Sequence, residues 1–262
     1  MRIHNKGNLF ILLVISLAFL VFSLNSVIAA PYGAGTVTQQ NSTRAIADSP
    51  QSHNALAGNV TELTIFGYTT TQSWQGYSGN VSGVIQLADS ADKVMYNWSD
   101  ANPRGEVYAS RNDTIAWSYV QCFNYTANGS YASDTAQAGA TSLYGMNYTQ
   151  LQTTYNISLD DVDSVNNTFT LNNHALFYTN NLNFSLGECK NMKVFNSTGV
   201  GAFDEALLYE PTGRSLIFTS ILQRDANGFD GKTHDFEMLV LEDGHTTDTT
   251  TTTYYFYIEL GA

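Results

Sequence analysis

From Gly58 to the C-terminus the chain is written in short runs of β-branched and aromatic residues, separated by Gly, Asn and Pro. Side chains on a pleated strand face alternate sides, so a half-buried strand reads apolar, polar, apolar. "NVTELTIFGY" (59–68) sets Leu63 and Ile65 on one face and Glu62 and Thr64 on the other. "VSGVIQLAD" (81–89) groups Val81, Ile85 and Leu87, and "KVMYNWS" (93–99) groups Val94, Tyr96 and Trp98. "GEVYAS" (105–110) follows an Asn102-Pro103 turn signal, and "IAWSYVQCFNY" (115–125) reads as one long aromatic strand. "HALFYTN" (174–180) and "ECKNMKVFN" (188–196) come next, and "EALLYEPTGRSLIFTSIL" (205–222) reads as a hairpin turning at Pro211-Thr212-Gly213. "HDFEMLVLE" (234–242) and "TTTYYFYIEL" (251–260) close the chain. Only "MNYTQLQTTYNIS" and "SLDDVDSV" have a helical cast, and each is short. The expectation is an all-β fold: one antiparallel, jelly-roll-like β-sandwich of about 10–12 strands over residues 58–262.

The N-terminus has a different grammar. Arg2 and Lys6 precede an uncharged apolar run, "LFILLVISLAFLVFSL" (9–24), and "NSVIAAPYG" follows. This is the layout of a secretory signal peptide, residues 1–29, with Val27 and Ala29 supplying the small residues before a cut after Ala29. The run is short for a bilayer-spanning helix, which asks for about 20 residues. An uncleaved anchor is the alternative, and a prepilin-type site at Lys6-Gly7 is a third, disfavoured by Pro31 and the lack of helical periodicity after it. Residues 30–57 are rich in Ala, Gln, Ser and Thr without periodicity and read as a flexible linker.

Asn-x-Ser/Thr occurs at Asn41, Asn59, Asn80, Asn97, Asn112, Asn124, Asn128, Asn147, Asn156, Asn166, Asn183 and Asn196. That is 12 of 24 asparagines, against about 5 expected by chance from the Ser and Thr content. The excess points to N-glycosylation of an exported protein. No sequon follows Thr198, because that region holds buried strands or because it is a face kept bare for contact. Cys122 and Cys189 are the two cysteines, and an even count in an exported chain points to one disulfide.

The net charge of −12 excludes a general binder of nucleic acid, which needs clustered Lys and Arg. Membrane contact is expected only through the N-terminal segment, if it is retained. No G-x-S-x-G, HExxH or P-loop pattern occurs. "TQSWQGYSGNVSG" (71–83) reads as a strand-connecting turn, with Gly76 and Gly79 at positive φ and Trp74 packed on the sandwich edge. Its alternative is a platform of Trp74 and Tyr77 for stacking a sugar ring. In "RDANGFDGKTHDFE" (224–237), Asp225, Asn227 and Asp230 offer hard oxygens. Ca²⁺ is the one structural ion they could hold, although the EF-hand spacing is not met. The competing reading is an Asn-Gly turn with solvated acids, and no other cofactor is expected.

Two of these stretches, "TQSWQGYSGNVSG" and "GFDGKTHDFEMLVLEDG" followed by "TYYFYIEL", resemble a group of uncharacterised archaeal secreted and cell-surface proteins. That group shares a signal peptide, a W-Q-G-[YF]-x-G-N-[VI]-[ST]-G motif and a final F-Y-[IV]-E-L strand. The resemblance spans Gly58 to Leu260 and brings no catalytic residue with it. It implies an archaeal origin and an extracellular or cell-surface address. Together these features predict a structural or adhesive protein, an envelope component or filament subunit, whose partners are other copies of itself or other envelope proteins. It is not expected to be an enzyme. A carbohydrate-binding module is the alternative, and a secreted glycoside hydrolase using carboxylates among Asp204, Glu205, Glu210 and Glu237 is the third reading.

Overall fold

The structure is a computed structural model and describes residues 30–99, 104–123, 125–126, 146–158, 160–244 and 249–261. The expected signal peptide and the sequon asparagines Asn124 and Asn128 lie outside these residues. The strands are β1 (Tyr32–Gly33), β2 (Trp74–Gly79), β3 (Val84–Ala88), β4 (Val94–Ser99), β5 (Arg104–Ser110), β6 (Gln121–Cys122), β7 (Tyr125–Thr126), β8 (Met146–Asn147), β9 (Phe177–Thr179), β10 (Leu182–Phe184), β11 (Asn191–Phe195), β12 (Gly201–Glu210), β13 (Ser215–Ile221), β14 (Ala226–Asn227), β15 (Thr233–His234), β16 (Phe236–Leu241) and β17 (Tyr255–Gly261). Two short helices, α1 (Tyr148–Tyr155) and α2 (Val165–Thr168), stand between β8 and β9.

The main sheet has the order β1-β17-β5-β13-β12-β11, with β6 also paired to β12, and its neighbours are all antiparallel. Both faces are covered. On one, Leu207, Tyr209, Leu216 and Phe218 pack against Met238 and Val240 of the β2–β16 ribbon and against Leu151 and Tyr155 of α1. On the other, Tyr108, Leu208, Ile217 and Tyr257 pack against Trp117 and the β9–β10 hairpin through Phe177, Leu182 and Phe184. This is an all-β sandwich. Each buried Leu or Phe contributes about 1.5–3 kcal/mol by leaving water, and β12, buried from Phe203 to Glu210, gathers the most. The disulfide joins Cys122 to Cys189, so β6 and the segment leading into β11, which follow one another along the same edge of β12, are clamped together.

The stretch after Thr198 contains β12, β13 and β16, which are mostly buried, together with β17, of which Tyr257 is buried. The hairpin turn at Pro211 forms as expected. Glu210 closes it, its carboxylate accepting the backbone N–H groups of Thr212 and Gly213, each at 2.6 Å.

Four local expectations are corrected. "WQGYSG" is strand β2, paired with β16 from Trp74↔Leu241 to Gly79↔Phe236, and is not a turn. Its glycines are absent from the positive-φ positions. A Cβ at Gly79 would meet Phe236 Cε1 at 3.4 Å, an ordinary contact, so neither backbone nor packing requires a glycine there. The aromatic run 115–125 is not one strand: a 3₁₀ turn at Trp117–Tyr119 breaks it and drives Trp117 into the core. Within "SLDDVDSV", residues 160–163 are turns that lead to the Ser164 cap of α2, whose Oγ accepts the Asn167 N–H, and the helix itself starts only at Val165. Finally, residues 59–68 form no strand. Residues 34–72 hold no regular element, and from Gly35 to Gln72 every residue is exposed.

Candidate functional site

Among the described residues, two β-prone pieces of the chain join no larger sheet. The β3–β4 hairpin forms a two-stranded sheet of its own, with Ile85↔Trp98 and Leu87↔Tyr96 directly opposed. Cross-strand neighbours share a face, so Ile85, Leu87, Tyr96 and Trp98 make one apolar surface. The Tyr96 and Trp98 rings meet edge to face at 4.9 Å. Yet Leu87, Tyr96 and Trp98 are 52%, 59% and 51% exposed. The second piece is residues 59–68, whose Val60, Leu63, Ile65, Phe66 and Tyr68 are all exposed. Both pieces therefore present apolar side chains to water.

These pieces leave opposite ends of the β2–β16 ribbon. Residues 59–68 enter at Trp74, where the chain is pinned: the Glu242 N–H donates to Ser73 O, the Gly244 N–H donates to Gln72 O, and Thr71 Oγ1 donates to Asp163 Oδ2. The hairpin departs after Gly79, where the Val81 N–H donates to Asp235 Oδ2 at 2.8 Å and Gly83 lies against Leu260.

Trp74 and Tyr77 are turned into the sandwich. The Trp74 ring lies 6.1 Å from Phe169 and 6.3 Å from Phe218, and its Nε1–H donates to Asp163 O at 2.6 Å. Tyr77 meets Phe256 edge to face at 5.2 Å. The three residues considered for Ca²⁺ point to separate partners. Asp225 pairs with Arg224 Nε, Asn227 donates to Ser197 Oγ, and Asp230 accepts from His234 Nε2 and the Lys232 N–H. The Lys232 N–H first, and His234 after it, hold the Asp230 carboxyl below its usual range. Among the described residues no group of three or more His, Cys, Asp or Glu is set to hold a metal ion.

Each carboxylate considered for hydrolysis has a local partner of its own. Asp204 is held by Lys193 Nζ at 2.7 Å, Glu205 accepts the Leu239 N–H, Glu210 closes its turn and Glu237 accepts the Phe229 N–H. A different pair meets instead. Glu106 of β5 and Glu259 of β17 are directly opposed. Glu259 Oε2 accepts the Tyr108 hydroxyl at 3.1 Å and the Asn180 N–H at 2.9 Å. Burial, and then the Glu259 charge, push Glu106 up to about 8. Glu106 lines a cleft of about 590 Å³ with Arg104, Leu176, Ile221, Leu222 and Arg224. Burial raises Glu259 as well, so both carboxyls bind a proton more tightly than they would in water.

No family model, curated protein or solved structure matches this chain. Residue chemistry and geometry carry the functional argument alone. Sequence reasoning misses the Glu106–Glu259 pair because alternation places Glu259 on the face opposite Phe256 and Ile258, and nothing in a strand's period says that both faces will be covered. The signal is present in one form: an acid embedded in an aromatic strand, "FYIEL", has few solvated places to go.

Proposed function

We propose that the chain is an exported, N-glycosylated protein of the cell surface or extracellular space with a structural or adhesive role, as an envelope component or filament subunit. The observation that carries this reading is where the sequons fall. Asn41, Asn59, Asn80, Asn97, Asn156, Asn166 and Asn183 are exposed, and Asn112 and Asn196 are half-buried. Among the described residues the two buried asparagines, Asn180 and Asn191, both stand outside sequons. An oligosaccharide requires a water-facing amide, and a chance excess of sequons has no reason to respect that. The apolar hairpin and the exposed segment 59–68 support the structural role, since both ask for a protein partner. The resemblance to archaeal exported proteins points the same way.

Glycopeptide mapping by tandem mass spectrometry on protein purified from the producing cells tests the reading. Sugar at most of the seven exposed sites is expected, in protein recovered from the envelope or medium. Unmodified peptides at all seven, or recovery from the cytoplasm, would overturn it.

A further inference from the structure

Asn191 and Lys193 stand two residues apart on β11, so their side chains share one face of the strand, about 7 Å apart at Cα. Asp204 of β12 lies directly opposite Lys193 and diagonal to Asn191. One of its oxygens, Oδ1, accepts from both Lys193 Nζ at 2.7 Å and Asn191 Nδ2 at 3.1 Å. Asn191 is fully buried and Asp204 nearly so, while Lys193 enters from the sheet's edge strand, partly exposed. An ion pair needs only the lysine and the aspartate. A buried amide on the same oxygen gives the group the parts of an acyl transfer: nucleophile, acid–base group and acyl carbon. We propose that Lys193 and Asn191 join through their side chains in an isopeptide bond, which the chain forms by itself with Asp204 as the acid–base group.

Each role has an atom. A lysine amine attacks an acyl carbon only after losing its proton, and Asp204 Oδ1 is placed to take it. Nζ then adds to Cγ of Asn191. The negative charge that develops on Asn191 Oδ1 meets the backbone N–H of Asn173, which already donates to that oxygen at 2.9 Å. Asn191 Nδ2 is the leaving group, and Asn173 Oδ1, which it reaches at 3.1 Å, holds the amide in this orientation. Asp204 passes the first proton to Nδ2 and takes a second from Nζ as the Cγ–Nδ2 bond breaks. Ammonia departs and carries that second proton away as ammonium. One amide replaces another, so the step needs neither oxidant nor reductant. The product removes a charge from the edge of the main sheet, and with it a free lysine at which a protease could cut.

Tryptic mapping of reduced, alkylated and fully denatured protein from the producing cells tests the proposal. Trypsin does not cut after an acylated lysine. The expected product is therefore one peptide, residues 191–214, uncut after Lys193 and lighter than its sequence by the mass of one ammonia. Any sugar on Asn196 adds to this peptide and leaves the deficit unchanged. Lys193→Arg, expressed in the same cells, keeps a charge partner for Asp204 but has no free amine to attack with. Full mass and cutting after residue 193 should return. Asp204→Asn should have the same outcome, because the acid–base group is gone. An unaltered chain that is cut after Lys193 into fragments of full mass overturns the proposal. So does an ammonia deficit on the short fragment 191–193, which is the mark of Asn191 closing on its own backbone, or a deficit that survives Lys193→Arg. If Asp204→Asn does not fold, the unaltered chain and Lys193→Arg decide the matter between them.

Discussion

His174 accepts the backbone N–H of Cys189 on Nε2 at 2.8 Å, which sets a fully buried imidazole directly behind the disulfide. Its Nδ1 lies 2.7 Å from Ala175 O, so the ring proton sits on Nδ1 and both nitrogens are satisfied. The Phe177 ring packs edge-on at 5.2 Å. His174→Phe keeps the ring volume but strands the Cys189 N–H, and should cost about 1–3 kcal/mol in urea denaturation with the disulfide intact. Reducing the bond, which closes a 67-residue separation, should cost about 4 kcal/mol. A His174→Phe protein as stable as the original would show that this hydrogen bond contributes nothing.

Gly105 stands at φ +118°, and a Cβ there would overlap the carbonyl oxygen of Glu259 across the β5–β17 pair. Gly105→Ala should therefore cost about 3 kcal/mol or more, from backbone strain and loss of sheet pairing together. Thermal unfolding reads the change. An unshifted midpoint would mean the strand pair relaxes around the methyl group without loss.

Stability should fall as pH rises. Burial first, then the Glu259 charge, lift Glu106 from 4.5 to about 8. Burial likewise raises Glu205 well above its ordinary value and raises Glu259. Each binds its proton more tightly in the folded chain than in the unfolded one. Their stabilisation is fully present below about 4.5 and is lost as pH climbs through the folded values, toward about 8 for Glu106. Asp230 acts in the opposite sense, but only at the acid end. The urea midpoint should decline from about pH 5 to pH 8, and Glu106→Gln should flatten much of that decline. A midpoint that climbs across this interval would contradict the assignment.

Trp74→Ala should destabilise the fold by about 3 kcal/mol, because the indole fills space between Phe169 and Phe218. Trp74→Phe should cost about 1 kcal/mol, mainly the hydrogen bond to Asp163 O. Chemical denaturation distinguishes this from a sugar platform, in which both changes would leave stability alone and abolish glycan binding.

Much of the sandwich is legible in the sequence alone. The runs that form β3, β4, β5, β11, β16 and β17, and the β12–β13 hairpin with its turn, stand close to where alternation places them. Period two reports a strand and its faces, but not its partner. That is why "WQGYSG" reads as a turn: its glycines and polar residues look like punctuation until β16 lies beside them. It is also why 59–68 reads as a strand of the same sandwich. Its pattern is strand-like, and nothing local says that its partner is missing. The Glu106–Glu259 pair is illegible for a related reason: two residues at far ends of the β region become neighbours only through the sheet order.

The strand that comes last in the sequence is not a border of the sheet. β17 lies between β1 and β5, so the sheet cannot be completed until residues 255–261 have been made. All the sequons precede it by more than fifty residues. If the chain is exported and glycosylated as proposed, every acceptor asparagine is made before the strand that completes the sheet. The order of the strands works as a clock: the sheet waits for the strand that fills its gap, which leaves the earlier asparagines open to modification on the proposed reading.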